Sequence, residues 1–312
     1  MRKQENIVHI EGRINELDLA VKVSKKGVTY IGGKIHIATD DKMLNIVTVD
    51  YSYVVPTFNS GKENKNYAVL TGLINNAKTL MGNPGEEATM VRVDSSIGLN
   101  EWHKDGKNEK GEAVKELVST KIVSGGFIHV ATELNPDESK RCTFNCDMVI
   151  NATRFIEGVE EKETVDKLIV SGAIFNFNNA LLPVEFTITN PKGIEHFQNL
   201  AATKSNIVYT KIWGKIINET VVTRITEESA FGEDSVREIV KSKRDWVSTG
   251  TSTVPAEFDV DGILTAKELQ EATAARQIYL ATKLQEQLAR EAEKAKNNNA
   301  FTAPVTTGGF AF

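Results

Sequence analysis

The chain is poor in the residues that announce chemistry or a compartment. It has 2 Cys, 5 His, 3 Trp and 7 Pro in 312 residues. Two cysteines, Cys142 and Cys146, cannot build a disulfide framework, so a reducing cytoplasm is the expected setting. No stretch approaches the ~20 apolar residues of a membrane span, and Met1-Arg2-Lys3-Gln4-Glu5-Asn6 has no apolar segment behind it, so no signal peptide is read. With 40% hydrophobic and 25% charged residues, the composition is that of a folded globular protein rather than collagen, a stalk or a disordered chain. The formal net charge of −5 argues against a wholly basic coat but leaves room for a local basic groove. The length exceeds one ordinary domain, which points to two folded units and an appendage.

Catalytic patterns are also missing. The histidines His9, His36, His103, His129 and His196 are scattered, and no G-x-S-x-G occurs. Ser60-Gly61-Lys62 lacks the upstream glycine of a phosphate loop. Zinc wants four ligands, and Cys142 and Cys146 have no second pair nearby, so they read as buried thiols. From Glu257, oxygen-bearing residues at 257, 259, 261 and 268 with Gly262 copy the spacing of a calcium loop. The first ligand is Glu rather than Asp and Val254-Pro255 replaces the entering helix, so this segment reads as a linker whose Thr265 and Glu268 cap the next helix. The sequence therefore predicts no enzyme, no metal and no cofactor.

What is present is a succession of short β-type runs. His9–Ile14, Val28–Ile31, Lys34–Ile37 and Leu44–Val55 come first, followed by a helix over Lys65–Leu80 that Gly82-Asn83-Pro84-Gly85 stops. Strand pattern resumes at Thr89–Leu99 and Val114–Ala131. The order then repeats: strands at Thr143–Phe155, Lys167–Phe177 and Pro183–Thr189, a helix at Gly193–Ala202, strands at Ile207–Val222 and Val236–Ser248. Glu116–Lys121 resembles Glu238–Lys243, and a central glycine, Gly98 or Gly214, precedes each in a strand. The expected domains are 1–135 and 140–252, then a linker and amphipathic helix over 256–296, then a flexible tail over 297–312. Ile278, Ala281, Leu284, Leu288, Ala292 and Ala295 make one apolar stripe on that helix.

Three strands, a helix and two strands is the order of an OB-fold, a five-stranded barrel. Val184–Ile188, Ile194–Leu200 and Val208–Ile216 resemble the third strand, helix and fourth strand of bacterial and phage single-stranded DNA-binding proteins, and Ile7–Ile14 resembles their opening strand. The resemblance implies a mainly β fold of two tandem OB-like five-stranded barrels, with a C-terminal helix and tail. It further implies a non-enzymatic protein of phage DNA replication or recombination that protects single-stranded DNA. Familiar members carry one such domain and end in an acidic tail closed by Pro-Phe; here the tail keeps the terminal aromatic, Phe312, without the acids.

Single-strand binding needs cations along a groove and flat rings on which bases stack. Lys211, Trp213 and Lys215 alternate and so share a strand face. Lys241, Lys243, Arg244 and Trp246 form a second cluster, Phe175 with Phe177 and Tyr51 with Tyr53 alternate, and Trp102 stands near Lys104. The alternative is a phage structural or assembly protein whose β-domains and C-terminal helix bind other proteins. Either way, the helix and tail are the expected site of self-association or of contacts with replication proteins, and no membrane contact is expected.

Overall fold

The computed structural model describes residues 4–107, 110–159, 164–227, 231, 235–260 and 264–300, with the side chains of 220–230, 232–242 and 295–300 outside that description. Residues 261–263, in the middle of the calcium-like loop, and the tail 301–312 also lie outside it.

Among the described residues, ten strands and three α-helices follow one another, with a short 3-10 turn at Glu138–Lys140 between the two halves. The first half is β1 (Asn6–Val23), β2 (Thr29–Ala38), β3 (Ile46–Val54), α1 (Lys65–Asn76), β4 (Met90–Lys107) and β5 (Ala113–Val130). The second is β6 (Cys142–Ile156), β7 (Lys167–Phe175), β8 (Leu181–Ile188), α2 (Pro191–Asn199), β9 (Val208–Glu227) and β10 (Ser235–Thr251), after which comes α3 (Ala266–Ala300). Each half closes on itself in the same order. Strands run β1-β2-β3-β5-β4 and back to β1, then β6-β7-β8-β10-β9 and back to β6. β3 and β5 pair in parallel, as do β8 and β10, and the other registered pairs are antiparallel. The fold is therefore mainly β, two OB-like barrels with a C-terminal helix.

The first strand of each barrel makes closure work. β1 pairs with β4 through Val8–Arg13 and with β2 from Arg13 to Val23, with a register shift at Ile14/Glu16. Such a shift bends a strand enough to serve two sides of a barrel. β6 does the same, with β9 through Ile150 and with β7 from Val149 to Ile156, the register shifting at Ile150/Ala152. That leaves one edge open on the first half of each strand. The two edges satisfy each other: Asn6–Ile10 of β1 pairs with Cys142–Cys146 of β6. The inward residues Val8, Ile10, Phe144 and Cys146 belong to one apolar cluster that includes Ile35 and Val49 of the first half and Val170 and Phe186 of the second.

Several boundaries differ from the sequence reading. α1 stops at Asn76, and Leu80 instead enters a turn and donates its amide to the Ile14 carbonyl at 3.0 Å. α2 begins at Pro191, because the Asn190 side chain accepts the amides of Lys192 and Gly193 and proline suits a first helical position. α3 continues through 297–300, which the sequence assigned to the tail. β4 extends eight residues past Leu99 into a long arm with β5.

By contacts the chain forms two compact bodies, Met1–Asn100 with Thr120–Thr265, and Glu101–Ser119 with the chain from Ala266 on. The segment after Pro255 stays with the first body: the Ala256 amide donates to the Tyr209 carbonyl at 2.7 Å, and Leu264 is fully buried. Within the second body, α3 lies on the strand arm. Arg276 pairs with buried Glu101, Gln287 exchanges hydrogen bonds with the His103 backbone, and Lys115 joins Asp105 and Glu291.

Candidate nucleic-acid interface

On β9 the alternation holds. Ile212, Gly214 and Ile216 are buried while Lys211, Trp213 and Lys215 point outward. Gly214 is required here, since a Cβ would sit 2.0 Å from the Val247 carbonyl oxygen. Trp213 is 40% exposed and rests on Gly250, its partner across the ladder. The same outer face continues over β6 and β1, where Asn145 lies opposite Trp213 and Ile7 opposite Asn145. Lys211 pairs with Glu5 at 2.7 Å, so part of its charge is already answered.

Three other expected stacking rings are core side chains. Trp246 is buried and tilted against Phe144, ring centres 5.6 Å apart. Period-two alternation explains this: residues 241, 243 and 245 share a face and 246 takes the other. Phe175 is fully buried and ends β7. Phe177 is exposed because the chain turns after the strand, with Asn176 Oδ1 accepting the amides of Asn178 and Ala180. Tyr51 is buried while Tyr53, at the outward-twisting end of β3, is half-exposed. Burial raises the Tyr51 phenol well above the usual tyrosine range, and the Gly126 backbone offsets only part of that.

Of the remaining expected residues, Lys243 and Arg244 are exposed and the Lys241 side chain lies outside the described residues. Trp102 and Lys104 belong to the second body, Trp102 half-exposed and Lys104 3.3 Å from Glu116.

The structure adds residues the sequence reading passed over. Tyr30 of β2 packs against Tyr53 in a tilted pair, ring centres 4.5 Å apart. Lys22 sits opposite Tyr30 in the β1–β2 ladder, and Lys25 and Lys26 occupy the connecting turn, all exposed. Phe58, Lys62 and Lys65 are exposed on the loop after β3 and the start of α1. The readable signal was Lys22-x-x-Lys25-Lys26-Gly27 before an aromatic strand.

Rings flanked by ammonium groups can hold stacked bases and their phosphates. The two thiols offer no reactivity, because burial pushes Cys142 up to about 12 and Cys146 higher still. Among the described residues, no three His, Cys, Asp or Glu side chains gather to hold a metal ion, and no helix is long and apolar enough to cross a membrane.

Among curated proteins, no sequence matches the chain. Among solved structures, it is similar to a deletion mutant of the single-stranded DNA binding protein from Thermus aquaticus, at 11% identity and a TM-score of 0.44, over 83% of this chain and 98% of that one. The family model that matches is YorF, over residues 4–286, and the chain belongs to that family.

Proposed function

We propose that the protein binds single-stranded DNA without sequence readout and without catalysis, as a protecting or organising protein of phage DNA replication or recombination. The observation that carries this reading is the tilted Tyr30–Tyr53 pair, with Lys22 opposite Tyr30 and Lys25 and Lys26 in the turn that follows Lys22. It sits on the β2–β3 face of the first barrel, the face through which OB-folds take oligonucleotides. Trp213 between Lys211 and Lys215 supplies a second set of the same chemistry on the second barrel.

The test is a titration of labelled oligo(dT) at several salt concentrations, following anisotropy together with Trp emission. Binding should weaken with salt by about 0.7 log units per neutralised phosphate. Replacing Lys22, Lys25 and Lys26 by Ala should flatten the slope by about 2 if each meets one phosphate. Absence of any binding at low salt overturns the reading. The alternative, a protein-contact role, draws support from α3, whose Ile278, Tyr279 and Leu288 stay exposed. Sedimentation of the full chain tests self-association through that helix.

A further inference from the structure

β3 and β5 pair at only two positions, Val49 with Val123 and Asp50 with Ser124, and then separate. Their divergence opens a cleft of about 410 Å³, within the ~300–1,000 Å³ of small-molecule pockets. Three rings stand around it: Tyr53, Phe58 and Phe127, which are 52%, 48% and 66% exposed. Together they make a cluster of exposed apolar surface at one opening, which marks a contact site.

The polar groups of the cleft are mostly engaged. Asn66 accepts the Ile128 amide and donates to the Gly126 carbonyl, Asn64 donates to the Val55 carbonyl, and Asp50 faces Lys34. One group is different. Tyr51 is among the lining residues; its hydroxyl is buried and meets no partner in normal hydrogen-bond geometry among the described residues, with only the Gly126 backbone close enough to ease its ionisation. A phenol offers one donor and an acceptor, and buried hydroxyls without partners are rare. Exposed rings beside a hydroxyl with hydrogen-bonding capacity to spare suit a ligand that is flat, uncharged and polar along one edge. The lining carries no Lys or Arg, which rules against a phosphate as the occupant.

We infer that this cleft is the subsite for one unstacked nucleobase, held between Tyr53, Phe58 and Phe127 with its polar edge on the Tyr51 hydroxyl. The inference rests on the single-strand-binding reading and adds a place to it. It also adds a direction. A second cleft of about 530 Å³ shares Gly125, Gly126 and Phe127 with the first and ends at Phe177 of the second barrel. The strand then passes over the Phe127 ridge from one barrel towards the other.

The experiment uses the full chain and oligo(dT) carrying a single photoreactive 5-iododeoxyuridine, with Phe127→Ala and Tyr51→Phe as variants. Cross-links are expected at Tyr53, Phe58 or Phe127. Phe127→Ala should weaken binding about tenfold, in the range of one lost base stack. Tyr51→Phe keeps its ring in the core and should change the ranking of dT, dC and dA homopolymers several-fold. Full affinity in Phe127→Ala with cross-links confined to Trp213 would overturn the subsite while leaving single-strand binding intact. If wild-type protein binds no oligonucleotide, both readings fall together.

Discussion

Lys121 of β5 is a cation placed among rings of the second barrel. Its Nζ lies 5.1 Å from the Phe186 ring centre and 5.7 Å from that of Trp246, and it donates to the Glu185 carbonyl. Burial lowers the ammonium to about 8, against the opposing pull of Asp245, Glu185 and Cys146. Between that value and the ~10.4 of an unfolded lysine, the unfolded chain holds the proton more firmly. Stability from this site should therefore rise as pH climbs from about 8 towards 10, and below 8 the buried charge is at its full disadvantage. Urea midpoints of wild type and Lys121→Met at pH 7.5 and 9.5 measure it. Wild type should gain on the variant at the higher pH; an equal gap at both values refutes the linkage. Gly250 supplies a second prediction at this scale. A Cβ there would lie 2.3 Å from Trp213 Nε1, so Gly250→Ala must swing the indole into water and red-shift its emission. An unmoved emission maximum would mean that the backbone yields instead. Of the site, the Lys211–Trp213–Lys215 alternation was legible because β9 runs straight through it. Trp246 was misplaced because lysine-rich composition outweighed its parity, and Phe175 and Phe177 were parted by a strand end that the pattern did not mark.

At the scale of elements, α3 turns most of the sequence stripe outward. Ile278, Ala281 and Leu288 stay exposed, while Leu284 of the stripe joins Leu269, Ala272, Arg276, Leu280, Lys283 and Gln287 on the partly covered side. An apolar stripe was the wrong signal, because much of the docking is polar. The Glu101 carboxylate, almost fully buried, accepts from Arg276 and from Ser119 Oγ. Removing one partner of a buried pair strands a charge, at a cost of about 3–5 kcal/mol. Arg276→Met should thus release α3 from the arm, read as faster amide exchange along 269–287 with the first body's melting unchanged. Adding Glu101→Leu should restore most of the protection. If Arg276→Met leaves α3 fully protected, Gln287 and Lys115 hold it without the buried pair. The existence and order of the strands were legible from alternation and turn residues. β5 was legible over its whole length, but the outer part of β4 was not, since its residues beyond Leu99 are, Trp102 and Gly106 apart, all polar and look like loop.

Across the whole molecule, the sequence shows two repeats but not how they join. Period-two patterns place Val8, Ile10, Phe144 and Cys146 inward. They say nothing of which backbone edge is left open, and that edge is what pairs β1 with β6. The junction has a mechanical consequence. Phe144 stacks on Phe186 at 4.6 Å, faces Val8 across the β1–β6 ladder, and belongs to a cluster extending to Ile35 and Val49 of the first half. Opening the second barrel would uncover Val8 and Ile10 and leave the amides of β1 unpaired, which costs the first barrel as well. The two barrels should therefore unfold together. Phe144→Ala, expected to cost about 3–5 kcal/mol, is the probe. Native-state hydrogen exchange should show the slowest amides of β2 and β3 losing protection by the same free energy as those of β7 and β8. Were β2 and β3 to keep wild-type protection while β7 and β8 lost theirs, the barrels would be separate cooperative units and the β1–β6 ladder only a tether between them.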